Sequence, residues 1–285
     1  MKKIVITGGS GFIGTYMQSY FKAEGFDVLP LGRKDTQKDI TEITKVLEGV
    51  DIIINLAGAP IIHRWNDAYK KVLYDSRIIT TKKIVTAMSN MKKKPELFVS
   101  TSAIGIYATD GPMSESDYTY SDNFLAKICK DWEAEARRAD DFTRVVIYRF
   151  GVVLGKGGGA LSKMLPSFKL GIAGTIGDGS EPFSWVHISD LLNAYLFVFD
   201  HNDLKGTFNL CSPNPVTNKV LTKTLGKILH RPTVIPLPKF VLRLLFSEGA
   251  TVLTEGQRVI PERLLKHHFI FKYPTIEEAL REVLD

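Results

Sequence analysis

The chain is poor in cysteine, in long apolar runs and in metal-ligand spacing. Its two cysteines, Cys129 and Cys211, form no Cys-x-x-Cys, and Cys129 falls inside a helical pattern. That argues against a disulfide framework and favours a reducing compartment. No stretch approaches the roughly 20 apolar residues of a membrane span. The apolar opening Ile4-Val5-Ile6 stops at Thr7-Gly8-Gly9, too early for a signal-peptide core. A cytoplasmic location without a membrane partner is therefore expected. The histidines, the His267-His268 pair included, have no metal-binding pattern, so no metal is expected. Neither an internal repeat nor a low-complexity linker is present. Acidic residues are in modest deficit: 37 Lys and Arg stand against 31 Asp and Glu, for a net charge of +6. Lysine clusters such as Lys92-Lys93-Lys94 are short, lack interleaved aromatics and sit at helix ends, where cations complement the helix dipole. Nucleic acid is thus not an expected partner, and the basic excess suits an anionic ligand.

What is present is a steady alternation of strand and helix patterns. The 285 residues, 44% hydrophobic and 24% charged, suit one large α/β domain or a nucleotide-binding domain with a smaller companion. Strands are expected at Ile4–Ile6, Val28–Leu31, Asp51–Leu56, Leu97–Ser100 and Val145–Tyr148. Helices are expected at Phe12–Glu24, Ser76–Met88 and Phe124–Ala139. This order implies an α/β fold, a Rossmann-type doubly wound parallel sheet. After Gly155 the texture changes to glycine-rich loops, at Gly157–Gly159 and Gly171–Gly179. A strand at Phe183–Ile188, a helix at Asp190–Phe199, a strand at Thr207–Leu210 and a helix at Thr217–Leu229 follow. The expected division is a dinucleotide-binding domain over residues 1–155, completed by part of 183–210. Residues 156–285 form a smaller, mostly helical substrate-side region with a tail at 239–285.

The segment Gly8-Gly9-Ser10-Gly11-Phe12-Ile13-Gly14 joins the first strand to the first helix. Glycines there permit a tight turn and a close approach of backbone to a pyrophosphate, which the helix N-terminus receives. This turn, with Ser10, Gly11, Phe12, Ile13 and Gly14 in its span, is the expected dinucleotide site. At the end of the second strand, where an acid would hold a ribose 2′-hydroxyl, the chain has Gly32-Arg33-Lys34-Asp35. Arg33 and Lys34 could embrace a 2′-phosphate, which favours NADP(H) over NAD(H). Asp35 in a shifted register is the opposing possibility. Asp39 and Ile40 are expected to frame the adenine, and Leu56, Ala57 and Gly58 to lie along the cofactor.

Together with Val99-Ser100-Thr101-Ser102-Ala103, Arg149-Phe150-Gly151 and Trp185-Val186-His187-Ile188-Ser189-Asp190, the turn resembles the extended short-chain dehydrogenase/reductases, the nucleotide-sugar epimerase and dehydratase group. Arg64-Trp65, Ser76-Arg77-Ile78, Asp131-Trp132-Glu133 and the tail from Thr254 to Arg263 narrow the resemblance to the atypical subgroup called epimerase family proteins. In the better-understood relatives a tyrosine and a lysine four residues later lie one helical turn apart, and the lysine makes the phenol a usable base. None of the ten tyrosines here has lysine at that distance. Registering the helix on Phe124 puts Ile128 at the lysine position; registering it on Glu133 puts Leu125 and Cys129 at the pair.

The resemblance leaves Ser102 as the retained hydroxyl and Tyr107 as a substitute proton donor, against a packing role for Tyr107. Tyr118 and Tyr120 are expected to face solvent, and His187 to be structural. Arg64 with Trp65, Arg77 and Arg149 are the candidates to receive an anionic small-molecule substrate. The resemblance implies a homodimer through the helices at Thr80–Met88 and Phe124–Ala139, unless their apolar faces are covered within the chain. Two functions follow: an NADP(H)-dependent oxidoreductase or epimerase-like enzyme, or a noncatalytic NADP(H)-binding sensor.

Overall fold

Strands buried on both faces are continuous apolar runs, and such runs make the centre of this fold. A computed structural model describes residues 1–285. Its first half contains β1 (Lys3–Thr7), α1 (Phe12–Ala23), β2 (Asp27–Leu31), α2 (Arg33–Gln37), α3 (Ile40–Leu47), β3 (Ile52–Asn55), α4 (Asp67–Asn90), β4 (Leu97–Ala103), β5 (Pro112–Met113), α5 (Phe124–Arg137) and β6 (Arg144–Phe150). The second half adds β7 (Val152–Leu154), α6 (Gly159–Lys169), β8 (Pro182–Phe183), β9 (Trp185–His187), α7 (Ile188–Asp200), β10 (Gly206–Leu210), β11 (Val216–Thr217) and α8 (Asn218–Leu229). It closes with α9 (Lys239–Phe246), α10 (Thr251–Thr254), β12 (Arg258–Val259), α11 (Glu262–Lys266) and α12 (Ile276–Leu284).

Six strands form one parallel sheet in the order β2-β1-β3-β4-β6-β10. From β1 the chain moves outward to β2, then returns to lay β3 on the other side of β1. The crevice beyond the C-terminal ends of β1 and β3 is the topological switch point, where open α/β sheets bind ligands. Pro30 is tolerated because β2 is an edge strand. Helices cover both faces, as expected of a doubly wound sheet. Met17 and Phe21 of α1 share a core with Leu191 and Val198 of α7. On the opposite face, Ile43, Ile84, Met88 and Ala136 pack against Val5, Ile53 and Phe98.

Two sequence expectations need correction. The run Phe183–Ile188 is not one strand: β8 pairs antiparallel with β11, β9 pairs parallel with β7, and Ile188 opens α7. Between the two strands the Ser184 hydroxyl donates to the Gln257 carbonyl and accepts the Val259 N–H. The C-terminal tail is also more than a helical layer on the substrate side. Its Leu264, Phe269 and Phe271 enter the main core, while Ile276 and Leu280 join the smaller core around Trp185. As for the two surface helices, Leu73 and Ile78 of α4 pack with Ile128 and Trp132 of α5, so these faces meet within the chain.

Candidate functional site

At the switch point Gly8 adopts a φ of 69°, which favours glycine. Its N–H donates to the Leu31 carbonyl at 3.0 Å, and the Gly11 N–H donates back to the Gly8 carbonyl at 3.0 Å. A Cβ at Gly8 would stand 2.9 Å from the Leu56 carbonyl oxygen, and one at Gly14 would stand 2.6 Å from that of Gly8. No side chain therefore fits at either position. Gly11 caps α1 without a side-chain hydrogen bond, and the first turn carries no acid. The helix thus directs unpaired N–H groups and its positive dipole end into the crevice, beside the exposed Ser10. Ile13 packs inward on the main core.

Phe12 explains a feature the sequence left unassigned. Its ring lies against Gly155, Gly158 and Gly159, and a Cβ at Gly158 would overlap it. The Tyr16 hydroxyl donates to the Lys156 carbonyl at 2.9 Å. The glycine-rich loop after β7 is therefore folded onto the cofactor turn. The contact between Phe12 and Gly158, 146 positions apart, leaves no signal in the sequence.

Beyond β2, Arg33 and Lys34 are exposed. Asp35 is engaged locally: the Gly32 N–H donates to its Oδ2 at 3.0 Å and Lys38 to its Oδ1 at 3.2 Å. Those contacts, the Gly32 amide first, hold its carboxyl below the usual range. Asp39 caps α3 by accepting the Glu42 N–H, and Ile40 starts that helix at the surface.

The segment Leu56-Ala57-Gly58 leaves β3 beside Gly8 and is fixed from α4. The Ala59 N–H donates to Ser76 Oγ at 2.9 Å, and Arg77 donates to the carbonyls of Ala59 and Leu73, each at 3.0 Å. Arg77 thus shapes the loop, in place of the substrate contact expected of it. Ser76 lies in the Ser76-Arg77-Ile78 motif, but nothing in the sequence marks its hydroxyl as the acceptor for this loop.

Below the crevice, side chains from β1, β3 and helix α4 form a buried polar chain. Thr7 donates to Asn55, and the Asn55 amide donates to Thr81, each at 2.7 Å. A second network surrounds Arg149. The Ser102 hydroxyl donates to Glu133 Oε1 at 2.7 Å, and Arg149 holds both oxygens of Glu133 at 2.8 Å. Arg149 also donates to the hydroxyls of Tyr107 at 2.7 Å and Tyr120 at 3.0 Å; the Tyr107 hydroxyl in turn donates to Asn209. The rings of Tyr107, Tyr118 and Tyr120 surround the guanidinium at 5.0, 6.0 and 5.5 Å. Tyr118 is exposed, as expected, whereas Tyr120 is half-buried with its hydroxyl on Arg149 and does not simply face solvent.

These contacts redirect several expectations. Tyr107 has no exposed surface, and burial pushes its phenol up to about 12 despite Arg149. It packs and braces Arg149 and does not face the crevice. Arg149 is itself buried; burial opposes its charge, but Glu133 holds it protonated. Arg64 donates to the Leu244 carbonyl at 2.7 Å, while Trp65 is buried, donates to the Ile61 carbonyl and meets Phe124 edge-on. Each of the four candidates for an anionic substrate is thus engaged within the chain: Trp65 and Arg77 on the loop after β3, Arg64 on α9 and Arg149 on Glu133. Of the two helix registers, the one on Glu133 describes the face toward β4: Leu125 lies against Gly105, and Cys129 is buried with Ile104 and Tyr107. Burial pushes the Cys129 thiol up to about 11. His187 is structural: Nδ1 accepts the Ser189 N–H and Nε2 meets Glu282 at 2.7 Å.

A doubly wound sheet with a glycine turn and an uncapped helix at its switch point defines a dinucleotide-binding protein of the short-chain dehydrogenase/reductase kind. Comparison with known proteins agrees. The chain belongs to the NAD dependent epimerase/dehydratase family, whose profile matches residues 4–211. A domain of unknown function, DUF1731, matches residues 237–283. The chain is 35% identical to the human epimerase family protein SDR39U1, with 99% of each chain covered. It is 34% identical to an epimerase family protein of Staphylococcus haemolyticus over the full length of both. The crystal structure of human SDR39U1 (isoform 2) with NADPH matches at a TM-score of 0.91 and 32% identity, over 99% of this chain and 98% of that one. A nucleoside-diphosphate sugar epimerase from Corynebacterium glutamicum matches at 0.80 and 28% identity, over 99% of this chain and 58% of the other.

Proposed function

We propose that the chain binds NADP(H) across the turn from Gly8 to Gly14 and acts on a small molecule as an oxidoreductase or epimerase-like enzyme. One observation carries the cofactor assignment: backbone amides that no side chain caps open beside a turn where no Cβ fits, while Arg33 and Lys34 stand exposed beyond β2. Asp35, the acid that would oppose a 2′-phosphate, is turned onto Gly32 and Lys38. The structure of human SDR39U1 with NADPH supports the same choice. Leu56, Ala57 and Gly58 would flank the dinucleotide, with Asp39 and Ile40 toward its adenine end.

A bound nicotinamide supplies a hydride donor or acceptor. Ser102, the hydroxyl kept from the family pattern, is itself buried at the end of β4, so a substrate oxygen would have to reach it from the crevice. The Ser102 proton is committed to Glu133, which Arg149 holds in place, so its oxygen accepts. A second reading, a noncatalytic NADP(H)-binding sensor, draws support from Leu125 and Cys129 at the places of the tyrosine and lysine and from the burial of Tyr107.

Titration with NADPH and NADH tests the cofactor. Replacing Arg33 and Lys34 by alanine should weaken NADPH binding about 10- to 100-fold, the worth of one charge-assisted hydrogen bond, and leave NADH nearly unchanged. Equal losses, or tighter NADH binding by the parent chain, would refute the assignment. Product analysis with NADPH and a panel of carbonyl compounds and nucleotide sugars tests the chemistry. Turnover lost on Ser102→Ala but kept on Tyr107→Phe supports the enzyme; stoichiometric binding without turnover supports the sensor.

A further inference from the structure

Exposed apolar side chains concentrate in one region. Leu170 and Ile172 are 72% and 55% exposed, Val234 is 78%, and Phe240 and Leu244 of α9 are 70% and 72%. The segments that carry them lie together. Arg231 donates to the Lys169 carbonyl at 3.0 Å, and Leu237 exchanges backbone hydrogen bonds with Thr175 and Gly177 at 2.8 and 3.0 Å. On α9 the outer face presents Phe240 and Leu244, one turn apart, while Leu242 is buried beneath. Contiguous apolar surface of this kind marks a binding face on a folded protein.

The same region carries more cations than acids. Lys169, Lys219, Lys223, Lys227, Arg231, Lys239 and Arg243 lie on or beside these segments, against Asp178, Glu181 and Glu248. Of these cations Lys239 is paired with Glu181 and Lys227 with Glu277. Lys223 and Arg231 line one shallow cleft with Lys227 and His230, and Arg243 projects from α9 among its apolar residues.

We propose that α9, with residues 169–172 and 231–237, is an interfacial docking surface for an anionic phospholipid membrane. Apolar side chains enter the headgroup boundary of such a surface while flanking cations meet its phosphates. A second copy of this chain fits less well, since an isologous contact would set two mainly cationic faces against each other. No helix is long and apolar enough to cross a membrane, so the attachment is peripheral. The Trp65 N–H donates to the Phe246 carbonyl at 3.2 Å, which places the end of α9 against the loop that follows β3. Docking would therefore bring the C-terminal edge of the sheet toward the lipid.

Flotation of the full chain with vesicles tests this. Binding to phosphatidylcholine containing phosphatidylglycerol, little binding to phosphatidylcholine alone, and release by salt are expected. Phe240→Ser with Leu244→Ser should cut binding about tenfold or more, because two exposed apolar anchors are lost, with the melting temperature preserved. Ile172→Ser with Val234→Ser, on the neighbouring segments, should act likewise; Arg231→Glu with Arg243→Glu should reduce binding to anionic vesicles selectively. No binding by the parent chain, or binding indifferent to all three double variants, would overturn the proposal. So would a dimer in solution that Phe240→Ser with Leu244→Ser dissociates while vesicles are ignored.

Discussion

Arg149 and Glu133 meet as a bidentate pair, Nε to Oε1 and Nη2 to Oε2, both at 2.8 Å, with only 3% and 6% of the two residues exposed. Removing either partner strands a buried charge, at a cost of about 3–5 kcal/mol. Glu133→Gln and Arg149→Met should each lower the urea unfolding free energy by that order. The double variant should lose clearly less than the two single losses together. Strict additivity would show that the pair is not coupled.

Tyr107 and Cys129 make stability depend on alkaline pH. Burial holds the phenol near about 12 and the thiol near about 11, above their ordinary values of roughly 10 and 8.5. Over those windows the native state binds more protons than the unfolded chain, so stability falls as pH rises. Both contributions are complete below pH ~8.5 and are lost on passing through the folded-state values. Unfolding measured from pH 8 to 12 should show a shallower decline for Cys129→Ala and for Tyr107→Phe than for the parent. A parent curve flat over that range would contradict the burial of both groups.

Gly158 is required by the Phe12 ring. Alanine there forces the ring or the loop to move and should destabilise the chain by about 1–3 kcal/mol. Phe12→Leu in the same chain should recover part of that loss, since the obstruction is the flat of the ring. Thermal melts of the two single variants and the pair decide it; a loss unchanged by Phe12→Leu would put the strain elsewhere.

Ser76 and Arg77 hold the loop after β3. Ser76→Ala leaves the Ala59 N–H without its acceptor, at about 1–3 kcal/mol if the amide stays dry. Hydrogen exchange should accelerate across residues 56–60 while β1 and β3 keep their protection. Unchanged exchange at Ala59 would deny Ser76 this role.

The strands β1, β3, β4 and β6 were legible because burial on both faces writes itself as unbroken apolar sequence. The glycine turn was legible because its backbone conformation and its contact with Leu56 tolerate no side chain. The arginines were not: charge is visible in sequence, but whether a guanidinium faces solvent or an internal carboxylate depends on elements far apart. Arg149 lies on β6 and Glu133 on α5, and only the packed fold brings Tyr107 and Asn209 to the same point. The Ser76 contact was hidden for the same reason, since its acceptor role belongs to a loop on the preceding strand. The short helices α2 and α3 are hidden in the sequence because five or eight residues give little periodicity to detect.

Leu264, Phe269 and Phe271 fill the main core and Ile276 and Leu280 the smaller one. During synthesis, then, the nucleotide-binding half emerges from the ribosome with a gap in its interior that is plugged only once residues 264–280 follow. Proteolytic cleavage ahead of Leu264 would loosen the sheet at β10, against which α11 packs, without touching any residue of the glycine turn.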